Sequence, residues 1–366
     1  MKFEVQRETI LKPLQMVSGI VEKKQTQPIL SNILLDLQPN QLTLTATDLE
    51  MEVIAHIPVE TNDTTSTTVP VRKFLDTCKT LNEGSEVKFS VNKEKAILNS
   101  NKTRFSLTTL PAKDFPVIDA KSPLFSFNIP QKLLKQIIDK TSFAMALQDV
   151  RYYLNGLLLE VTTSYLRAVS TDGHRLAIST AEVETSQSET RSIIVPRKAV
   201  LEIARILEDT NDNVELVIGE NYIRIVLDEV TFTSKLVDGQ YPNYESVIPK
   251  NCDKQLVVDK NSIRQCLVRT SILSNEKYRG IKLEINKDYL KASANNPDQE
   301  EAEDEIPINY DGEQIEMGFN VNYLIDAITA LDADNVELNF TDSNGSTLIQ
   351  VPGDDSCLYV VMPMRL

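Results

Sequence analysis

The sequence predicts an α+β protein made of three copies of one repeat, each with two helices and antiparallel sheets. Three kinds of block recur in the same order along the chain, which is the pattern of an internal repeat. The first kind begins at Phe3, Phe127 and Leu256, the second at Ile29, Tyr153 and Tyr278, and the third at Thr67, Ile193 and Met317. The starts of the first block lie 124 and 129 residues apart. We therefore predict three domains, at residues 1–124, 125–248 and 249–366.

Each block predicts its own elements. The first is a short extended start followed by an amphipathic run, in which Ile10, Leu14 and Val17 fall at helical spacing. The second alternates apolar and polar residues on both sides of a polar turn, which is typical of a β-hairpin. The third predicts a helix, because Pro70 and Pro196 stand just before apolar-periodic runs. A fourth block adds two or three strands to each repeat.

The composition favours a globular protein of the cytoplasm. Hydrophobic residues make up 41% of the chain and charged residues 25%. The N-terminal stretch lacks the apolar core of a secretory signal, and no apolar run approaches the roughly 18 residues of a membrane span. The four cysteines lie far apart, so we expect reduced, mostly buried thiols. Because no apolar run is long enough for a span, we also expect no membrane association. A net charge of −15 disfavours nucleic-acid binding by the chain as a whole, but the distribution of charge over the surface matters more than its total.

The stretch STDGHRLAI, residues 170–178, has the residue types of an active site. Asp172 and His174 could serve acid–base chemistry, so a hydrolase is one hypothesis. No third partner is evident, and the chain contains no GxSxG, HExxH or Walker A pattern. TDLE and NNPDQEE occupy the same register in the other two repeats without the histidine. We therefore expect a specialised loop at a strand end, with no catalytic residue, no metal and no cofactor.

Seven stretches spanning the chain resemble one known family. They are TDLEMEV, QDVRYYLNG, TDGHRLA, FTSKLVDGQYPNY, ILSNEKYRG, NNPDQEEAE and the C-terminal YVVMPMRL. Together they resemble the bacterial sliding clamps, the beta subunits of DNA polymerase III. The resemblance implies a clamp fold that closes as a homodimeric ring around duplex DNA, with helices inside and sheets outside. Twelve helices about 9 Å apart would form a circle roughly 34 Å across, wide enough for a DNA duplex to slide through.

Basic residues on the helix segments indicate where DNA would pass. Five of the six predicted helix segments are basic inside an acidic protein, which predicts a positive inner face with sequence-independent phosphate contacts. The helix charges and the resemblance together give the candidate DNA-binding residues Lys24, Arg72, Gln148, Tyr152, Tyr153, Arg197 and Lys198. The loop EKKQTQPIL lacks an arginine common in the family, so Lys23 or Lys24 would act there as a point charge.

The two ends of a three-repeat chain would leave sheet edges exposed, and pairing between two copies would cover them. The first repeat offers basic and apolar residues at its end, and the third offers apolar residues beside an acidic run. The candidate interface residues are Lys73, Lys102, Arg104, Phe105 and Leu107 on one side, and Ile272, Leu273, Glu300, Glu301, Glu303 and Asp304 on the other. An apolar centre with a charged rim is typical of a stable interface.

The loop around His174 and the C-terminal tail together predict a peptide-binding groove. Gly173 allows close approach of a backbone, and Met362 and Met364 suit a surface that accepts several partners. The candidate residues are Leu154, Thr171, Gly173, His174, Arg175, Leu176, Pro242, Val247, Val360, Met362, Pro363 and Met364. The resemblance implies that they converge into one groove for short motifs of the polymerase III catalytic subunit, the clamp loader, other polymerases and repair factors. Ser246 stands where relatives often carry arginine, and a peptide-binding repeat scaffold without DNA is the alternative function.

Overall fold

A computed structural model describes residues 1–22, 27–118, 122–185, 187, 189–250 and 252–365. Lys23 and Lys24, and with them the Lys24 candidate for DNA binding, lie outside the described residues. The four cysteines are free thiols, of which Cys78, Cys266 and Cys357 are buried, as predicted, and Cys252 is half-buried. Within the described ranges, none of the helices has the length and apolarity needed to cross a bilayer.

The first repeat has the predicted order of strand, helix, strands, helix and strands. Its elements are β1 Lys2–Gln6, α1 Arg7–Ser18, β2 Asn32–Gln38, β3 Gln41–Thr47, β4 Met51–Pro58, β5 Thr65–Pro70, α2 Val71–Thr80, β6 Glu86–Asn92, β7 Lys95–Ser100 and β8 Thr103–Thr108. The apolar residues at helical spacing on α1 are buried. Pro70 caps the start of α2, where its fixed backbone angle suits a helix N-terminus.

The second and third repeats contain the same series. The second comprises β9 Phe125–Pro130, α3 Gln131–Asp139, β10 Gly156–Val161, β11 Tyr165–Thr171, β12 Arg175–Glu182, β13 Arg191–Pro196, α4 Arg197–Ile206, β14 Asn213–Ile218, β15 Tyr222–Val226 and β16 Val230–Lys235. The third comprises β17 Lys254–Asp259, α5 Lys260–Ser271, β18 Gly280–Ile285, β19 Tyr289–Asn295, β20 Glu301–Pro307, β21 Ile315–Asn320, α6 Val321–Ala330, β22 Asn335–Phe340, β23 Thr347–Val351 and β24 Asp354–Val361. The predicted threefold repeat of an α+β unit is therefore confirmed.

The described chain forms two compact units. Unit 1 contains Met1–Lys132 and Leu201–Leu236, and unit 2 contains Leu133–Val200 and the chain from Val237 onward. The units follow shared sheets and cut across the repeats, so the domain boundaries at residues 124 and 248 stay a prediction.

Each unit contains one four-stranded and one eight-stranded antiparallel sheet. In unit 1 the strand orders are β1-β6-β7-β8 and β5-β2-β3-β4-β16-β15-β14-β9. In unit 2 they are β20-β19-β18-β21 and β13-β10-β11-β12-β24-β23-β22-β17. Each eight-stranded sheet joins four strands of one repeat to four strands of the next, through β4 and β16 in unit 1 and through β12 and β24 in unit 2.

Helices cover the sheets from one side and bury the core. In unit 1, α1 packs against α2 and against β3 and β4, and Phe3 stacks on Phe89 with ring centroids 4.8 Å apart. In unit 2, α5 packs against α6 and β20, over a core of large aliphatic residues and Phe319.

Candidate functional site

The turn between β11 and β12 is built by its own side chains. The hydroxyl of Thr171 donates to the carbonyl of Arg175 at 2.5 Å and accepts the amide of Gly173 at 3.0 Å. The carboxylate of Asp172 accepts the amides of His174 at 2.9 Å and Arg175 at 3.1 Å. Asp172 also accepts a hydrogen bond from the guanidinium of Arg175. The carboxylate that could have acted as a general base is thus used to hold the turn, beside an exposed His174.

Gly173 has a backbone conformation that an L side chain rarely adopts. Its φ is 90°, and a Cβ placed on it would lie 2.9 Å from Nη2 of Arg151. Arg151 cannot move away freely, because it holds Asp149 through two hydrogen bonds of 3.0 and 2.9 Å. These bonds lower the pKa of Asp149 to about 2. The glycine therefore fixes the shape of the turn.

We expect Gly173→Ala to destabilise the protein by about 1–2 kcal/mol, the usual cost of a side chain in the left-handed region. The turn should also distort, so that affinity for a groove-binding peptide falls. Thermal unfolding and a peptide titration measure the two effects. Gly84→Ala is the matched control, because Gly84 has a φ of 70° but nothing within 4 Å of its Cβ position, so it should lose similar stability and keep its affinity for the peptide. A Gly173→Ala protein that binds the peptide as tightly as the Gly84→Ala protein would contradict this role.

The turn lies against the C-terminal strand. Leu176 pairs with Val360 in the register of β12 and β24, and the amide of Met362 donates to the carbonyl of His174 at 2.9 Å. The amide of Met364 donates to the carbonyl of Gly318 at 2.8 Å. The loop and the tail, which are almost 190 residues apart in sequence, are therefore held together by backbone hydrogen bonds.

Behind the turn lies an apolar cluster, which we call the groove cluster. Its buried members are Leu158, Val169, Leu176, Ile178, Ile194, Tyr244 and Val360, and the half-buried residues packed against it are Tyr153, Val237, Tyr241, Ile248, Leu348 and Leu358. Three tail residues that come after the cluster member Val360 in the chain are half-buried, namely Met362, Pro363 and Met364. Pro242 and Val247 are exposed. A floor of this kind can take apolar side chains of an extended peptide.

The segment 241–248 forms one wall and is tied to the sheet by Tyr244. The Tyr244 hydroxyl donates to Glu160 Oε2 at 2.6 Å and accepts from Arg167 Nη1 at 3.2 Å. Burial, and then the hydrogen bond to the Glu160 carboxylate, raise the pKa of Tyr244 to about 12, so the phenol stays protonated at neutral pH. Ser246 donates to the carbonyl of Asn243 and leaves the wall without a cation at that position.

Among the twelve predicted groove residues, Leu176 and Val360 belong to the groove cluster, whereas Arg175 and Leu154 do not. The side chain of Arg175 lies on the opposite face of β12 from Leu176, where it contacts Asp326 at 2.6 Å and stacks on Tyr323. Leu154 is buried and packs outside the cluster. Sequence reasoning missed Tyr241 and Tyr244, although the two tyrosines of YPNYESVIP were a usable signal.

The predicted DNA-facing residues are partly engaged within the protein. Arg72 is exposed but donates to the carbonyl of Val21 at 2.7 Å, and Arg197 donates to the carbonyl of Met145 at 3.1 Å. Lys198 is exposed at the start of α4. Gln148 and Tyr152 lie on an exposed loop.

Tyr153 is predicted from the sequence to contact DNA, but its side chain packs against the groove cluster. Its ring meets that of Tyr152 edge to face at 5.7 Å. The loop 147–153 also exposes Leu147 and Val150. The structure thus places Tyr153 beside the peptide candidates and Tyr152 on the solvent side of the same loop.

Several of the basic helix residues have acidic neighbours. Lys12 contacts Glu208 at 2.9 Å, Lys132 contacts Asp209 at 3.6 Å, Lys140 contacts Asp332 at 3.4 Å and Arg269 contacts Asp304 at 2.6 Å. These acids reduce the positive potential that the helix sequences predict. Because the pairs are on the surface, each contributes about 0–1 kcal/mol and can exchange for a phosphate.

The candidate interface residues lie at the outer strands of the four-stranded sheets. β8 is one edge of the four-stranded sheet in unit 1, and β20 is one edge of the four-stranded sheet in unit 2. On and beside β8, Lys102 and Arg104 are exposed and Phe105 is half-buried, whereas Leu107 is buried in its own sheet. Lys73 is exposed on α2. Leu107 is therefore less available for an interface than the sequence suggested.

On the β20 side, acidic and apolar side chains are accessible. Glu300, Glu301 and Glu303 are exposed, and Glu303 contacts Lys291 at 2.9 Å. Asp304 is half-buried beside Arg269. Ile272, just after α5, exposes 73% of its surface, and Leu273 is half-buried. Such an exposed isoleucine beside an open sheet edge is typical of a surface that associates with another chain.

In the described part of the chain, no group of three or more His, Cys, Asp or Glu side chains is arranged to hold a metal ion. Asp172 and His174 are the only pair that the sequence offered for acid–base chemistry, and Asp172 is used by the turn. The apolar floor of the groove cluster is the feature of this site that favours binding of a ligand.

Comparisons with known proteins match the whole chain. The N-terminal, central and C-terminal domain models of the DNA polymerase III beta subunit match residues 1–119, 128–243 and 245–365. The beta sliding clamps of Pseudomonas putida and Escherichia coli are 49% and 47% identical to it, with both chains covered completely. The solved structure of the Pseudomonas aeruginosa subunit superposes with a TM-score of 0.97 at 46% identity, again over 100% of both chains. The chain belongs to the DNA polymerase III beta subunit family, the non-catalytic sliding clamps of DNA replication.

Proposed function

We propose that two copies of this chain close into a ring around duplex DNA and tether the replicative polymerase for processive synthesis in the cytoplasm. The observation that carries the proposal is that β8 and β20 are edge strands, whereas their equivalents in the other repeats pair with one another. Within the chain, β4 pairs with β16 and β12 pairs with β24, in both cases antiparallel. β20 holds the same place in the third repeat as β4 and β12 hold in theirs, and β8 holds the same place as β16 and β24.

Pairing β20 of one copy with β8 of a second copy completes this series. Each such contact would make another eight-stranded sheet, and a two-fold axis generates two identical contacts. The charges are complementary, because Lys102 and Arg104 flank one edge while Glu301 and Glu303 flank the other. The exposed Ile272 supplies an apolar centre.

Passage of DNA through the ring is supported by the basic residues of the helices. Arg72, Arg197 and Lys198 start or border helices, and Lys12 and Lys132 have acidic partners weak enough to be displaced by phosphates. Contacts of this kind bind the backbone without reading sequence. They would let the ring slide.

The groove cluster is the proposed tether. It would receive short extended motifs with apolar anchors from the polymerase III catalytic subunit, the clamp loader, other polymerases and repair factors. One structure of the Pseudomonas aeruginosa clamp has griselimycin bound. Two chains would offer two grooves, so that more than one partner could be held at the same DNA.

Retention on circular DNA tests the proposal. The protein, loaded by a clamp loader onto a nicked circular plasmid, should co-elute with the plasmid in gel filtration at about 0.15 M salt, where surface charges alone are screened. Cutting the plasmid once should release it, because the ring slides off the ends. Blocking both ends of the linear DNA with bound protein should restore retention. A protein that never co-elutes with circular DNA but still binds peptides would be a peptide-binding scaffold that does not bind DNA. Release from the plasmid that does not depend on linearisation would also contradict the proposal of a closed ring.

A further inference from the structure

The turn between β3 and β4 in unit 1 is built like the turn beside the groove cluster. The Thr47 hydroxyl donates to the carbonyl of Met51 at 2.8 Å and accepts the amide of Leu49 at 3.1 Å. The carboxylate of Asp48 accepts the amides of Glu50 at 3.0 Å and Met51 at 2.7 Å. These are the same four hydrogen bonds, in the same order, as those of residues 171–175.

The equivalence extends into the neighbouring strand. The amide of Lys235 donates to the carbonyl of Glu50 at 2.9 Å, as the amide of Met362 donates to the carbonyl of His174. Glu52 pairs with Thr233 where unit 2 pairs Leu176 with Val360. Unit 1 therefore contains the scaffold of the groove with different side chains on it.

The side chains make the unit 1 floor polar. Glu52 is 5% exposed, and its carboxylate accepts the amide of Ile118 at 3.1 Å. Burial raises the pKa of Glu52. Thr233 is buried and accepts a hydrogen bond from Arg224 at 3.1 Å. A floor with these groups cannot take the wholly apolar anchors that suit Leu176 and Val360, so a ligand here needs different chemistry.

A cavity of about 400 Å³ lies beside this turn, lined by Leu49, Val117, Ile118, Asn221 and Lys235 among others. Its volume is within the range of small-ligand and peptide side-chain pockets. Its rim is apolar, because Val117 exposes 67% of its surface and Leu49 exposes 38%. The rim can therefore hold an aliphatic side chain.

Leu49 is held in a strained conformation at this rim. Its φ is 77°, whereas the equivalent position in the other turn is Gly173 with a φ of 90°. A glycine would adopt this conformation without strain, and Leu49 is not a core residue, since it exposes 38% of its surface. A strained apolar side chain at the mouth of a cavity points to a contact made there.

Lys235 supplies a positive charge to the lining of the cavity. It is the one basic side chain among the residues that line the described cavity. Its ammonium lies 3.4 Å from the carboxylate of Glu50, and the two side chains are 45% and 68% exposed. A surface pair of this kind is weak, so a carboxylate from a ligand can join the ammonium without breaking a strong contact.

We propose that the cavity beside residues 47–51 is a second peptide-docking pocket, and that it binds an extended segment in which an aliphatic residue stands next to a carboxylate. The aliphatic side chain packs between Leu49 and Val117, and the carboxylate pairs with Lys235. The pocket differs from the groove cluster in requiring an acidic neighbour to the anchor.

Methyl NMR of the intact protein tests the pocket with the capped hexapeptide acetyl-Gly-Ser-Leu-Asp-Ser-Gly-amide. The methyl groups of Leu49 and Val117 should shift on titration and saturate at a Kd of about 1 mM, the affinity of one small anchor and one charge pair. Replacing the aspartate of the peptide by lysine should weaken binding at least about tenfold. In the protein, Leu49→Gly should relieve the strain, keep the fold and weaken binding by a similar factor, and so should Lys235→Gln.

Lys79→Gln is the matched control, because Lys79 is an exposed lysine of unit 1 outside the cavity. It should bind the peptide as the unchanged protein does. The proposal is overturned if the shifts do not saturate by about 20 mM peptide, if the lysine peptide binds equally well, or if the shifts occur only at Leu176 and Val360, which would place the peptide in the groove cluster.

Discussion

Replacing Ile272 and Leu273 together by alanine is expected to turn the proposed ring dimer into a monomer. Ile272 exposes 73% of its surface in the single chain, and the proposed interface would bury it. Losing two large aliphatic side chains removes roughly 3–6 kcal/mol from each interface, at about 1.5–3 kcal/mol for each side chain. Because a two-fold ring contains two identical interfaces, the loss counts twice, and the dimer should not survive at micromolar concentration.

Sedimentation velocity of the double variant at micromolar protein measures this result. Val257→Ala is the control, because Val257 is also an exposed aliphatic residue, 45% accessible, and lies on β17 in the eight-stranded sheet, which contains neither β8 nor β20. The control should stay dimeric, and the monomeric variant should also lose retention on circular DNA. A double variant that sediments as an unchanged dimer would remove these residues from the interface.

Deleting residues 362–366 is expected to abolish partner binding while leaving the ring closed. The amides of Met362 and Met364 anchor the tail to the carbonyls of His174 and Gly318, and the tail places three apolar residues just after Val360 of the groove cluster. Losing two contacts between apolar tail residues and an apolar anchor of a bound peptide costs about 3 kcal/mol of binding free energy, at about 1.5 kcal/mol each. This corresponds to a loss of more than about 100-fold in affinity. Peptide titration and primer extension on a circular template measure the loss.

Val117→Ala is the control for the tail deletion, since Val117 is an exposed aliphatic residue beside the other pocket. It should leave binding of apolar-anchored motifs unchanged. Both proteins should still sediment as dimers and remain on circular DNA. Normal processive synthesis by the truncated protein would contradict a tether at the groove cluster.

Local patterns in the sequence predicted the elements and their threefold repetition. The spacing of Ile10, Leu14 and Val17 predicts a helix because side chains three and four apart share a face, and these residues are buried on α1. The prolines at positions 70 and 196 mark helix starts in the same way. Such signals act over a few residues, so the sequence alone determined that three similar α+β repeats follow one another.

Long-range pairing was decided only by the tertiary structure. No local signal reports that β12 pairs with β24, or that Met362 reaches His174, because these partners are separated by most of two repeats. The direction of Arg175 depends on the register of that pairing, since a neighbouring residue on a strand faces the other side. The sequence placed Arg175 among the groove residues, and the structure places its side chain against Asp326 and Tyr323.

The ion pairs and the buried residues show the same difference between what the sequence determines and what the tertiary structure determines. The sequence identified basic helices, but not that Lys12 and Lys132 meet Glu208 and Asp209, which follow α4 in the second repeat. It also showed TDLE in the register of TDGH, but not that Glu52 replaces Leu176 on a buried floor. The sequence by itself determined the repeat, the family resemblance and the residue types at each turn. The tertiary structure alone decided which of those residues meet, because burial and ion pairing depend on distances that the folded chain sets.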